Sequence, residues 1–235
     1  MASNETLEKE YRHVVSLGGS CKVAGLLQNY GLRDASYPFD WNVGSPEAVL
    51  LLIDNGFEGF LQPEALVVVD GVVCDSGSGV CMPNDFDPSR PLEDQSAAVR
   101  AKYSRRIKHL MAAATEPTLF VRGALRDDEL DWLLSHPDEA LEILRRGHPD
   151  NGLVVVTADG PVPEAAALPV YRIGDKDLRR RLLRLSYPLP TRLRNLVRNL
   201  GPGFLKDVRA KVALRTRARR LACRLHLRPS AARSS

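Results

Sequence analysis

The stretch "HVVSLGGSCKVAG", residues 13–25, decides how this chain is read. Val14, Val15 and Leu17 form a short apolar run that leads directly into Gly18, Gly19, Ser20 and Cys21, and helical spacing then takes over. A buried strand that leaves through a glycine turn into a helix is the repeating unit of an α/β sheet. It also puts a thiol at the mouth of the helix. Cys21 has two readings: a small apolar filler, or a nucleophile held where the helix N-terminus favours thiolate over thiol.

Strand and helix signals alternate outward from this point. The spacing predicts a strand over 13–18 and a helix over 21–31 ending at Gly31. Residues 35–41, "ASYPFDW", should be extended, because the residue before Pro38 is pushed out of the helical region. A helix over 45–56 has Ser45 as N-cap and Pro46 at its first position, and a hairpin over 65–75 turns at Asp70-Gly71. A loop rich in Gly, Pro, Asn and Asp fills 77–91, long enough to suggest function. Then follow a long helix (92–114), a strand (118–123), a helix over 127–136, a further helical turn or two within 137–148, and strands over 152–159 and 168–174. This order predicts an α/β domain with a mostly parallel sheet flanked by helices, its apolar strands such as "LVVV" covered on both faces.

In such a sheet ligands collect at the carboxyl ends of the strands, where Cys21 should lie. Gly18, Gly19 and Ser20 would let backbone approach a substrate closely, and the N–H groups of the helix start could receive an oxyanion. "GGSC" matches neither the dinucleotide nor the phosphate-loop fingerprint. In "YPFDW", Phe39 and Trp41 alternate with Asp40; Asp40 either points into the site beside Trp41 or caps a helix. Arg122 ends the apolar strand "LFVR" on the same rim, placed either to bind a carboxylate or phosphate or to pair with Asp40 or Asp85. Arg105 and Arg106 read as solvated helix charges.

The combination of "YRHVVSLGGSC", "ASYPFDW", "PNDF", "YSRRIKHL" and "LFVR" resembles a bacterial domain family of unknown function described as papain-like cysteine peptidases, over residues 11 to about 160. The resemblance implies a cysteine nucleophile at Cys21, with papain-like α+β as the alternative fold. It leaves the substrate open: a peptide, another acyl compound or a glycan-linked one. The family pattern has His-Asp-Phe where this chain has Asn84-Asp85-Phe86, and an amide cannot take a proton from a thiol. His109 is the nearest substitute in sequence, though it reads first as an exposed helix residue; His13 precedes the first strand, at the far end from Cys21. Two functions are therefore weighed: a cysteine-dependent hydrolase or transferase, and a binding module that has lost its base.

The rest of the chain narrows the setting. Its 235 residues are 44% hydrophobic, enough for a real core, and no apolar run is long enough to span a membrane. The polar, acidic N-terminus lacks the features of a signal peptide, which predicts a cytoplasmic location. Cys21, Cys74, Cys81 and Cys223 are too few and scattered for a disulfide framework, and their spacing predicts no structural metal site; no cofactor is expected. The net charge of +4 conceals a division. Residues 178–235 hold 17 Lys and Arg against the single acid Asp207, while the preceding 177 residues are acidic. We therefore expect a catalytic-type domain over 1–177 and a basic, amphipathic helical tail over 178–235. Leu, Val and Phe recur among the arginines of 178–228, which fits a helix lying on an anionic membrane surface at the inner face. Packing against the acidic domain ranks second, and nucleic acid third.

Overall fold

The computed structural model describes residues 6–158, 162–163, 166–184 and 195. Four parallel strands form the main sheet in the order β1 (His13–Ser16), β4 (Thr118–Ala124), β5 (Gly152–Thr157) and β6 (Val170–Arg172). The α/β expectation holds, and the α+β alternative is excluded because no strand of this sheet runs antiparallel to its neighbour. A separate antiparallel hairpin, β2 (Leu66–Val69) and β3 (Val72–Asp75), turns at Asp70-Gly71, both in the left-handed region.

Successive strand residues point to opposite faces, and each face builds its own core. Val15, Phe120 and Val155 look toward α2 (Pro46–Asp54), α3 (Leu92–Ala114), α4 (Asp127–Ser135) and α5 (Pro137–Arg145). Val14, Val121, Val154 and Val156 look toward α1 (Cys21–Asn29) and α6 (Lys176–Arg184). Continuous apolar runs were therefore the correct signature of strands covered twice.

Local signals set the helix starts. Ser45 accepts from the Ala48 N–H at 3.2 Å and Pro46 opens α2. α3 spans the predicted 92–114. α6 carries Leu178 and Leu182 fully into the core, so the first turns of the basic segment pack on the domain while Arg179, Arg180 and Arg184 stay exposed. Of the other tail helices expected from the sequence only Asn195 is described; it is buried and donates to Gly31 O at 3.2 Å, and the membrane reading lies outside the described residues. Among the described residues no helix is long and apolar enough to cross a membrane.

α1, the first helix after β1, packs on one face of the sheet, and α2 to α5 pack on the other. Cys21 begins α1 just beyond the carboxyl end of β1, the end at which open α/β sheets bind ligands.

Candidate active site

Backbone geometry places the thiol. Leu17 N–H donates to Val121 O and Gly123 N–H to Gly18 O, both at 2.9 Å, which extends the β1–β4 ladder past the end of β1. The chain then breaks away through Gly18 (φ 74°) and Gly19 (φ 81°), a left-handed pair that side chains rarely adopt. A Cβ on Gly19 would stand 1.9 Å from Gly123 O, so this turn requires glycine. Ser20 resumes an extended conformation as N-cap and accepts from the Lys22 N–H at 3.1 Å. Cys21 is the first residue of α1, exposed, and the only free cysteine among the described residues. No hydrogen bond among the described residues engages its backbone N–H, one of the orphan donors of a helix start.

Residues 37–42 wall this turn on one side: Phe39 O and Asn42 O lie within 3.4 Å of where a Gly18 Cβ would be. The extended conformation expected for 35–41 is corrected here. Pro38–Trp41 form a turn, because the Asp40 carboxylate gathers the chain around itself. Asp40 Oδ2 accepts from the Tyr37 N–H at 2.9 Å and from Arg33 Nε and Nη2 at 3.0 and 2.6 Å. Asp40 caps no helix and is fully buried; its Oδ1 has no hydrogen-bond partner among the described residues. Burial raises its pKa above the ordinary carboxylate value despite Arg33. Of the two aromatics that alternate with Asp40, Phe39 enters the core, beside Tyr37, whereas Trp41 is only half-buried.

Arg122 reaches the rim of β4 but is 2% exposed. It donates from Nη1 to Leu17 O at 2.8 Å and from Nη2 to Gly44 O at 2.5 Å, and Nη2 lies 3.6 Å from Glu129 Oε1. The expected pairing with Asp40 or Asp85 is replaced by Glu129, because α4 folds back over the strand it follows. Burial lowers the Arg122 pKa to about 10, so it stays charged at neutral pH. The guanidinium thus clamps the residue preceding the glycine turn to the segment preceding α2.

Asn84 and Asp85 divide. Asn84 is exposed on its loop, while the Asp85 carboxylate is almost entirely buried against α3. Lys102 Nζ binds Asp85 Oδ1, and Arg106 Nη1 lies 3.8 Å from the same oxygen. The Tyr103 hydroxyl sits 2.5 Å from Asp85 Oδ2 and 2.7 Å from Asn42 Oδ1. Burial, and then the neighbouring Asp85 charge, push the Tyr103 pKa upward and keep the phenol protonated. Arg106 is therefore no solvated helix charge: its guanidinium stacks over the Tyr103 ring at 5.3 Å. Sequence reading missed Arg33, Asn42 and Tyr103; their polarity was visible, but their partners are seven to 61 residues away.

None of the four histidines among the described residues bonds to Cys21. His13 Nδ1 pairs with Asp34 Oδ2 at 2.6 Å at the opposite end of β1. His109 Nδ1 lies 3.2 Å from Ser36 O, His136 stacks on Trp132, and His148 accepts from the Asp150 N–H. Among the described residues no group of three or more His, Cys, Asp or Glu is arranged to hold a metal ion. Cys74 and Cys81, expected to be separate thiols, are joined in a disulfide: β3 and residue 81 lie side by side, and residue 81 in turn bridges to Val43.

The family described as "putative papain-like cysteine peptidase" matches residues 12–157, more than half of the chain and the whole of the sheet through β5. The protein belongs to this family. A search of the curated proteins and a search of the solved structures found no match. The family match spans the glycine turn, the Asp40 turn, the Asp85 network and Arg122 in a single domain.

Proposed function

We propose that the protein is a cysteine-dependent acyl hydrolase or transferase with Cys21 as nucleophile. The observation that carries this is the exposed, unpaired Cys21 thiol beyond the carboxyl end of β1, at the free N–H end of α1, on a turn that only glycine can make. The sulfur attacks an acyl carbon; an S–acyl bond forms, the leaving group departs with a proton, and water or an acceptor amine or hydroxyl then takes the acyl group. The Cys21 backbone N–H, with Gly19 and Ser20 beside it, supports the developing oxyanion. Arg122 and the Asp40 turn hold this geometry from behind, the first through Leu17 O and the second through contact with Gly18. The basic tail is suited to keeping the enzyme at an anionic membrane surface, which fits a cell-envelope or glycan-linked substrate.

The experiment is to expose the full chain to an aryl ester and a peptide thioester and to map acyl adducts by peptide mass. An adduct at Cys21 that disappears in Cys21→Ser, with turnover disappearing in parallel, is the expected result. Turnover retained by Cys21→Ser overturns the proposal.

A second reading is favoured by one observation: no imidazole among the described residues bonds to Cys21; the resemblance implies a histidine where this chain has Asn84. Under that reading the domain is a binding module derived from an enzyme. Replacing Asn84 with His then raises the alkylation rate of Cys21 by iodoacetamide, whereas an intact, differently activated site shows no gain.

A further inference from the structure

Helix α3 carries a second feature that Cys21 chemistry leaves unused. Arg100, Ser104 and Lys108 recur at every fourth residue, which puts them on one face of the helix. All three are exposed. Lys102 and Arg106, on the adjoining face, are committed to Asp85. Arg100 and Lys108 form no ion pair with any described residue.

Beneath them lies a cleft of about 300 Å³, the size of a small-molecule site. Its floor is aromatic: the ring centroids of Phe57 and Phe60 are 5.8 Å apart, and Phe60 meets Tyr103 edge-on at 5.8 Å. No acid lines the cleft. The loop that supplies the phenylalanines is strained, with Phe57 at φ 62° and Leu61 at φ 60°, a conformation that costs a bulky residue roughly 1–3 kcal/mol. It is held by local bonds: Phe57 N–H donates to Leu52 O at 2.7 Å, and Leu61 N–H to Asp75 Oδ2 at 2.8 Å. Strain of this kind persists where a loop must present particular side chains.

We propose that this cleft binds a small carboxylate attached to an apolar or aromatic group. The carboxylate lies between Arg100 and Lys108 with the Ser104 hydroxyl as a further donor, and the apolar group rests on Phe57 and Phe60. That chemistry is offered both by the C-terminal residue of a peptide and by a free aryl or fatty acid. None of the lining residues belongs to the Cys21 turn, so this inference stands or falls apart from the proposed reaction.

The test titrates the full chain, by calorimetry, with N-acetylphenylalanine, 3-phenylpropionate, the neutral N-acetylphenylalaninamide and inorganic phosphate. At least one of the two acids should bind saturably, with a Kd of about 1 mM or tighter. The amide should bind at least about tenfold more weakly, and Arg100→Gln or Lys108→Gln should each weaken the acid about fivefold or more. The bound acid should also protect Lys108 from acetylation by acetic anhydride. Binding of N-acetylphenylalanine alone assigns the site to peptide C-termini, and binding of 3-phenylpropionate alone to free acids. Equal binding of acid and amide, binding unchanged in both variants, phosphate binding as tightly as the acids, or no saturable binding of either acid overturns the proposal. Both variants alter exposed side chains, so the fold is retained in the comparison.

Discussion

Gly19 and Gly123 meet backbone against backbone, so closely that a Cβ on Gly19 would lie 1.9 Å from the Gly123 carbonyl oxygen. This contact locks the turn that presents Cys21 onto the neighbouring strand. Gly19→Ala would have to move the turn or the strand as well as accept a left-handed alanine. We expect a loss of more than about 3 kcal/mol in urea unfolding, with the alkylation rate of Cys21 changed. Gly56→Ala is the control: its φ is 65°, but its Cβ would meet open space, so the loss should be only about 1 kcal/mol. Equal stabilities for the two variants would refute the close approach.

Arg122 ties Leu17 O and Gly44 O together inside the protein and neutralises Glu129. Arg122→Met removes the charge but leaves both carbonyls and the Glu129 carboxylate buried without it. A loss of about 3 kcal/mol is expected by denaturant titration. The double variant Arg122→Met/Glu129→Gln should recover part of that loss, since it no longer buries a carboxylate left with only the exposed Arg126, 3.8 Å away, as partner. A double variant no more stable than the single one would show that Glu129 is not the guanidinium's counter-ion.

The His13–Asp34 pair makes stability depend on pH. The hydrogen bond to Asp34 raises the His13 pKa against the opposing effect of burial, with the Asp34 and Glu116 charges assisting and Arg12 opposing most weakly. A raised folded-state value means the contribution is complete below the unfolded value of about 6.5 and is lost as pH rises through the folded one. Asp34 is displaced the other way: burial pushes it up, but hydrogen bonds from His13 and Tyr37 outweigh burial and hold it below the ordinary carboxylate value. Its contribution is present above about pH 3.9 and is lost on acidification through its lower folded value. The urea midpoint of the wild type should therefore fall from mildly acidic into alkaline pH more steeply than that of His13→Gln. Parallel profiles for the two proteins would remove His13 from the account.

Cys74 and Cys81 close a short loop, seven residues apart in sequence, against the segment that bridges to Val43. Cross-linking so short a loop should stabilise the oxidised protein by about 2 kcal/mol over Cys74→Ser/Cys81→Ser. Adding a reductant should bring the wild type to the variant's denaturation midpoint while leaving the variant unmoved. A wild-type midpoint insensitive to reductant would show that the bridge is not formed.

Much of the fold was legible because its signals are local. Ser45 and Pro46 announced α2, residues 92–114 read as one long helix, α3, and the apolar runs of β4 and β5 announced strands buried on both sides. The strand at 35–41 was misread because Pro38 restrains only its neighbour, whereas the turn is imposed by Asp40 capturing Arg33 and the Tyr37 N–H. Arg122 was recognised as unusual, but its partner was not, since Glu129 is brought to it by the fold of the following helix.

The sequence by itself determined that an α/β sheet forms and that Cys21 follows its first strand on a glycine turn. Both are consequences of residue type and spacing within about ten positions. The tertiary structure alone decided the rest: that Gly19 abuts Gly123, that Asp40 and Asp85 are buried in networks with Arg33, Tyr103 and Arg106, and that Cys74 meets Cys81. Those relationships depend on which distant segments share an interior. There an unpaired charge or polar group costs several kcal/mol, and partners are selected by proximity in space rather than along the chain.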